Sequence, residues 1–329
     1  AELNVETAPG VRCIQKPVAI DSVGLYIPGG TAPLFSTVLM LAIPARIAGC
    51  REVILCTPSG KNGKVSPEVL YAANFCGIKR IFKVGGAQAV AAMAYGTSTI
   101  PKVAKIFGPG NQYVTTAKQM LSGSEVAIDM PAGPSEVMVI ADGSSRADFV
   151  AADLLSQAEH GSDSQVMLVC DDESFARKVL EEVDRQCEAL ERAGFAKNAL
   201  EKSRAVVFEE KCDTVSFANL YAAEHLIIST DDAWSIAEKI TAAGSVFIGK
   251  YTPESAGDYA SGTNHTLPTC GWARSMSGVN IDSFIRKMTI QEITREGLYG
   301  LSETIVNMAD AEGLAAHANA VKIRIDEKQ

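Results

Sequence analysis

The chain has 329 residues, 47% of them hydrophobic, with 30 Lys and Arg against 39 Asp and Glu for a formal net charge of −9. That balance lacks the basic face that broad binding to nucleic acid or to an anionic membrane demands. No apolar run is long enough to span a bilayer, so the composition reads as a globular protein of two domains.

The N-terminal residues, Ala1-Glu2-Leu3-Asn4-Val5-Glu6, lack the basic start and apolar middle of a signal peptide. They also lack an initiating methionine, and the chain reads as one that begins partway through a longer protein. After a lead containing Pro9-Gly10, short apolar runs alternate with amphipathic stretches, which is the grammar of an α/β fold. Strands are expected at 23–27, 52–56, 80–84, 103–107 and 126–128, with helices near 36–49, 67–76, 87–95 and 111–122. Pro44 should kink or break the first of these helices.

The string Met130-Pro131-Ala132-Gly133-Pro134-Ser135 interrupts the alternation and reads as a crossover between halves. A second set follows, with strands at 137–141, 165–170, 205–208, 226–228 and 245–248 and helices near 146–160, 173–193, 212–224 and 231–243. The expected fold is therefore α/β, with two Rossmann-like doubly wound halves of similar size, a distant internal duplication. From residue 251 a Gly- and Thr-rich loop region runs to 278, followed by a tail of mostly helical composition. The tail's apolar residues, among them Phe284, Met288, Ile293, Leu298 and Met308, must pack on its own body or on a partner chain. The expected division is a lead over 1–22, α/β domains over 23–135 and 136–279, and a helical tail over 280–329.

Eight cysteines show no C-x-x-C pair and read as reduced thiols in a cytoplasm. The stretch Gln157-Ala158-Glu159-His160-Gly161 sets two ligand side chains one helical turn apart. Ser145 with Asp148 suggests a capping-box start and Gly161 a stop, so both side chains should leave the same face of the helix end. Taken alone, the pair reads more readily as a polar helix end than as a metal site. The chain has four histidines, His160, His225, His265 and His317, each in a polar, loop-flanked context. Glu224-His225 falls between a helix and the next strand, where a carboxylate and an imidazole could face a cleft for proton transfer, or simply form a solvated helix end. Asp258 could complete a metal shell with Gln157 and His160, or sit at a turn. Glu312 and His317 are separated by about 140° on a regular helix, so they share a site only if the helix ends between them or meets a ligand end-on. Three glycine-rich turns, after residues 26, 84 and 107, follow predicted strands, at the sheet edge where a nucleotide would bind. No G-x-G-x-x-G or P-loop string accompanies them.

Four strings converge on one family. Gln157-Ala158-Glu159-His160-Gly161, Asp129-Met130-Pro131-Ala132-Gly133-Pro134-Ser135-Glu136, Phe107-Gly108-Pro109-Gly110-Asn111 and Ser261-Gly262-Thr263-Asn264-His265 resemble the histidinol dehydrogenase family. The resemblance implies a zinc-dependent, NAD-linked, four-electron oxidation of L-histidinol to L-histidine through histidinaldehyde, the end of histidine biosynthesis. It implies zinc on the positions matching Gln157, His160 and Asp258, with His317 supplied by the second subunit of a homodimer. His225 matches the general base and Glu224 the group that activates water. Ser135, His265 and Glu312 match substrate contacts, shared with His225 and the metal ligands, and Tyr26, Gln88 and Asn111 match NAD contacts. Family members carry further helices ahead of the point where this chain begins. A hydrolase using the same metal site, and a non-catalytic nucleotide-binding protein, are the competing readings.

Overall fold

The computed structural model describes residues 2–29, 34–131 and 133–326. Gly30, in the first glycine-rich turn, and Ala132, in the crossover string, lie outside the described residues. The chain forms two compact units, Ile20–Phe284 and a second made of Ala1–Ala19 with Ile285–Gln329.

The N-terminal lead is an antiparallel hairpin of β1 (Leu3–Ala8) and β2 (Val11–Ala19). Gly10 takes the positive φ of 72° that its turn requires. The first α/β half follows: β3 (Ser22–Tyr26), α1 (Phe35–Ala48), β4 (Glu52–Thr57), α2 (Pro67–Phe75), β5 (Arg80–Lys83), α3 (Gly86–Tyr95), β6 (Lys105–Phe107), α4 (Gln112–Leu121) and β7 (Ala127–Ile128). Its five strands are all parallel, in the order β5-β4-β3-β6-β7. The period of two along each strand divides the core. Val23, Leu25 and Leu55 meet α1 and α2, while Tyr26, Ile54 and Cys56 meet α3 and α4. Covering both faces explains why these strands read as continuous apolar runs.

The second half repeats the plan with β8 (Glu136–Ala141), α5 (Ala147–Ala158), β9 (Gln165–Cys170), α6 (Glu173–Cys187), α7 (Ala193–Glu201), β10 (Arg204–Val207), α8 (Lys211–Tyr221), β11 (His225–Ser229), α9 (Ala233–Ala237) and β12 (Ser245–Ile248). Its order, β10-β9-β8-β11-β12, is the same topological sequence. Central β8 is buried at every residue, with Val137, Val139 and Ala141 against α5 to α7 and Met138 and Ile140 against α8 and α9. A short helix, α10 (Glu254–Tyr259), then leads into the loop region.

The tail is helical in α11 (Arg295–Ala311) and α12 (Ala315–Ile325), but it opens with a strand, β13 (Ile285–Ile293), paired antiparallel along the whole of β2. Lead and tail thus form one three-stranded sheet with two helices.

Three local expectations are corrected. The helix expected over 173–193 is two helices, α6 and α7, because α6 ends at Cys187 and turns through Leu190, which packs on the core. Ser145 does not cap α5: its hydroxyl donates to the carbonyl of Ser229 instead, and the cap position is Arg146. Pro44 does not break α1. Proline lacks the N–H that would reach the Met40 carbonyl four residues back, and the Asn264 side-chain amide donates to that carbonyl at 2.7 Å.

Among the described residues no helix is long and apolar enough to cross a membrane. All eight cysteines are free; burial pushes the Cys56 thiol up to about 12.

Candidate active site

A cavity of about 630 Å³ opens between the two halves of the Ile20–Phe284 unit. One wall is the C-terminal edge of the first sheet, with Pro109, Gly110 and Asn111 running into the start of α4. The other is the N-terminal edge of the second sheet. There the parallel register of β8 and β11 brings Ser135, Glu224 and His225 together at the strand starts, and α5 delivers Gln157 and His160 from its C-terminal end. Asp258, from α10, and His265, from the following loop, complete this wall. Asn264 anchors that loop to the α1 backbone, and His265 Nε2 lies 3.2 Å from Ser36 Oγ at the start of α1.

The centre is buried. His225 is 3% exposed and Gln157 1%. His225 Nδ1 lies 3.2 Å from the Glu136 carbonyl oxygen, which can only accept, so Nδ1 carries the proton. Nε2 is left as a lone-pair nitrogen with no hydrogen-bond partner among the described residues, 3.9 Å from Asp258 Oδ1, which has none either. Desolvation lowers the His225 imidazole to about 4, so the ring stays neutral through the physiological range. Desolvation likewise lowers His160 and His265, with Arg192 adding to the effect at His160.

Carboxyl groups crowd the same space. Glu224 Oε2 accepts from the Glu136 N–H at 2.9 Å, yet burial holds Glu224 well above the usual carboxylate range, and the neighbouring carboxyls of Glu254, Glu136 and Asp258 push the same way. Burial raises Glu254 strongly, Asp258 to about 6 and Asp153 to about 7. The Gln157 amide satisfies both its ends when its nitrogen donates to Glu254 Oε1 at 2.7 Å and its oxygen accepts from the Glu136 N–H at 3.3 Å. Ligand atoms of His160, Glu254 and Asp258 all lie within 4.8 Å of one another. Such a set, one imidazole and two carboxyls with an orphaned oxygen, suits a divalent cation of borderline character.

Of the expected site residues, the structure thus gathers Asn111, Ser135, Gln157, His160, Glu224, His225, Asp258 and His265 around one cavity. Tyr26 and Gln88 lie elsewhere on the first half. Tyr26 is 4% exposed and its hydroxyl accepts from the Gly86 N–H at 3.0 Å, while Gln88 lies in the first turn of α3. Glu312, the C-cap of α11, and His317, in α12, belong to the other unit. Sequence reasoning missed Glu254. Its spacing of four from Asp258 was the available signal, since it puts both carboxyls on one face of α10.

A sequence profile described as histidinol dehydrogenase matches residues 1–325. The chain is 59% identical over 322 residues to the histidinol dehydrogenase of Bacteroides thetaiotaomicron, covering 98% of this chain and 75% of that protein. It is 56% identical over 326 residues to that of Salmonella typhi, covering 98% and 74%. Its structure matches the crystal structure of histidinol dehydrogenase from Elizabethkingia anophelis with a TM-score of 0.96 at 54% identity, covering 99% of this chain and 75% of that one. The aldehyde dehydrogenase KauB from Pseudomonas aeruginosa shares the fold alone, with a TM-score of 0.56 at 15% identity over 89% of this chain and 72% of that one. By profile, identity and fold together, the chain belongs to the histidinol dehydrogenase family of oxidoreductases.

Proposed function

We propose that this chain oxidises L-histidinol to L-histidine in two NAD-linked steps through the aldehyde, as the last part of histidine biosynthesis. The observation that carries the reading is the neutral imidazole of His225, buried at the cavity with an unpartnered Nε2, beside a cluster able to hold a cation. Gln157, His160 and Asp258 would hold zinc, with His317 of a second copy as a further ligand. The orphaned Asp258 oxygen and the mixed nitrogen and oxygen donors fit that ion. Zinc when bound would supply a grip on the nitrogen atoms of histidinol, and NAD would take up the electron pairs that leave the carbinol carbon.

The chain's own residues then have separate tasks. His225 Nε2 accepts the hydroxyl proton in the alcohol step, for which a neutral imidazole is required. Glu224 lies beside it, and burial holds its carboxyl well above the usual carboxylate range, which makes it a stronger base when ionised and suits it to activating the water that adds to the aldehyde. Ser135, His265 and Glu312 bind the substrate. The position of Glu254 against the Gln157 amide and His160 suggests that it helps orient these groups.

Asn111 lines the cavity, and Tyr26 and Gln88 stand by the glycine turns at the same sheet edge; all three belong to the proposed NAD side. Exposed apolar residues of the other unit, including Met288, Ile290, Ile293 and Met308, support packing of that unit on a second copy in a homodimer. A cytoplasmic setting rests on the free cysteines.

The test is the near-ultraviolet absorbance of reduced nicotinamide when histidinol and NAD are mixed with the zinc-loaded chain. Two reduced nicotinamides per histidine formed are expected. Turnover without NAD would instead favour a metal hydrolase.

A further inference from the structure

Behind the glycine turn that faces the cavity lies a charge pair that the reaction does not use. Lys118, on α4, is 2% exposed, and the Asp129 side chain, just past β7, is 1% exposed. Lys118 Nζ donates to Asp129 Oδ1 at 2.5 Å. Burying two charges is costly, and an apolar pair of the same volume is often as stable or more so, so stability alone does not account for it.

What the pair holds is a single residue, by the peptide group on either side of it. The Gly108 N–H donates to Asp129 Oδ2 at 2.7 Å, and the Gly108 carbonyl accepts from Lys118 Nζ at 2.8 Å. The Met130 N–H donates to Asp129 Oδ1, also at 2.7 Å, which fixes the carboxylate. Gly108 has φ of 122°, and any side chain there would collide with the Tyr26 carbonyl oxygen. Three residues later Asn111 caps α4, its Oδ1 accepting from the N–H groups of Tyr113 and Val114. Pro109, Gly110 and Asn111 line the cavity. Both polar atoms of the residue that aims this turn are therefore held by one ion pair.

We infer that Lys118 and Asp129 are positioning residues for the dinucleotide, setting the Gly108–Asn111 turn in the conformation that receives it. This rests on the reading that the turn takes NAD. The pair touches neither substrate nor metal residues, so its loss acts on cofactor affinity first. Backbone donors and acceptors bind well only when their direction is preset, and an apolar replacement fills the space without setting that direction.

The experiment titrates NAD by calorimetry into wild type, Lys118→Met and Lys118→Met/Asp129→Leu, alongside thermal melting and the KM for histidinol. Lys118→Met leaves Asp129 buried and unpaired, and should both lower the melting temperature and weaken NAD by about tenfold or more. The double variant removes the stranded charge. It should recover part of the melting temperature, short of wild type by the hydrogen bonds lost at Gly108 and Met130, while NAD stays weak, with the KM for histidinol changed by less than about twofold. Recovery of NAD affinity together with stability overturns the inference, as does undiminished NAD binding in both variants. A double variant that fails to fold overturns it too, because the pair then serves the fold. If wild type binds no NAD, the functional reading itself fails; if wild type and the double variant bind NAD equally, only the positioning inference does.

Discussion

The two halves of the Ile20–Phe284 unit share one strand order but put opposite edges to use. The first presents the C-terminal ends of its strands, where glycine turns and the start of α4 expose backbone groups. The second presents the N-terminal ends of its strands, where Ser135, Glu224 and His225 sit at the starts of β8 and β11. At its own C-terminal edge short polar side chains tie the loops after β8 and β11 together: Ser145 donates to the Ser229 carbonyl, and the Asp231 N–H donates to Ser144 Oγ. The difference teaches that a duplicated topology does not duplicate a site. On the proposed function, one half offers backbone dipoles to a dinucleotide, and the other offers buried acids and imidazoles to a cation and a proton.

If the second half carries the proton chemistry alone, His225→Asn gives the largest single effect. Both oxidation steps should slow by about 10²- to 10⁴-fold, measured in single turnover, with NAD affinity unchanged. A loss of NAD binding would mean that the halves do not divide the work. Glu224→Gln sharpens the division within the second half. It should impair oxidation of supplied aldehyde more than oxidation of the alcohol, since only the aldehyde step consumes water. Equal losses in the two steps would remove the separate role given to Glu224.

Mixing inactive His160→Ala and His317→Ala chains under subunit exchange asks whether the second half is completed by another copy. A shared site should restore about a quarter of wild-type activity, because each heterodimer has one undamaged site. Heterodimers without activity would make His317 irrelevant to its partner's site.

The smallest effect concerns the acids. Burial lifts Asp153 from 3.8 to about 7. Between those values the folded chain holds a proton that the unfolded chain has released, so this group's contribution to stability falls as pH rises through the window. Metal-free Asp153→Asn should therefore melt a few degrees above wild type at pH above about 7 and match it below about 4. A difference that does not change with pH would show that burial does not perturb Asp153.

Much of this comparison was legible in the residues. Buried parallel strands announce themselves as unbroken apolar runs, as in β8, and the three-residue spacing of Gln157 and His160 placed both at one cavity. Less legible was whatever depends on distant partners. Ser145 has the residue type of a cap, but its hydroxyl finds the Ser229 carbonyl 84 positions away. Asn264 rescues the carbonyl freed by Pro44 from 224 positions away. Strand β13 is exposed at nearly every residue, so no alternation of buried and exposed positions marks it as a strand; its pairing with β2 does. Glu254 shows only as an ordinary acid at a helix start until α10 is placed beside α5.

On the proposed function, dinucleotide and metal chemistry belong to separate halves facing one cavity. The most direct test of that division is calorimetric titration of NAD into the chain before and after chelation, with histidinol turnover followed in parallel. Chelation should abolish turnover, added zinc should restore it, and the NAD dissociation constant should move by less than about twofold. A large fall in NAD affinity on metal removal, or turnover that survives chelation, would contradict that division.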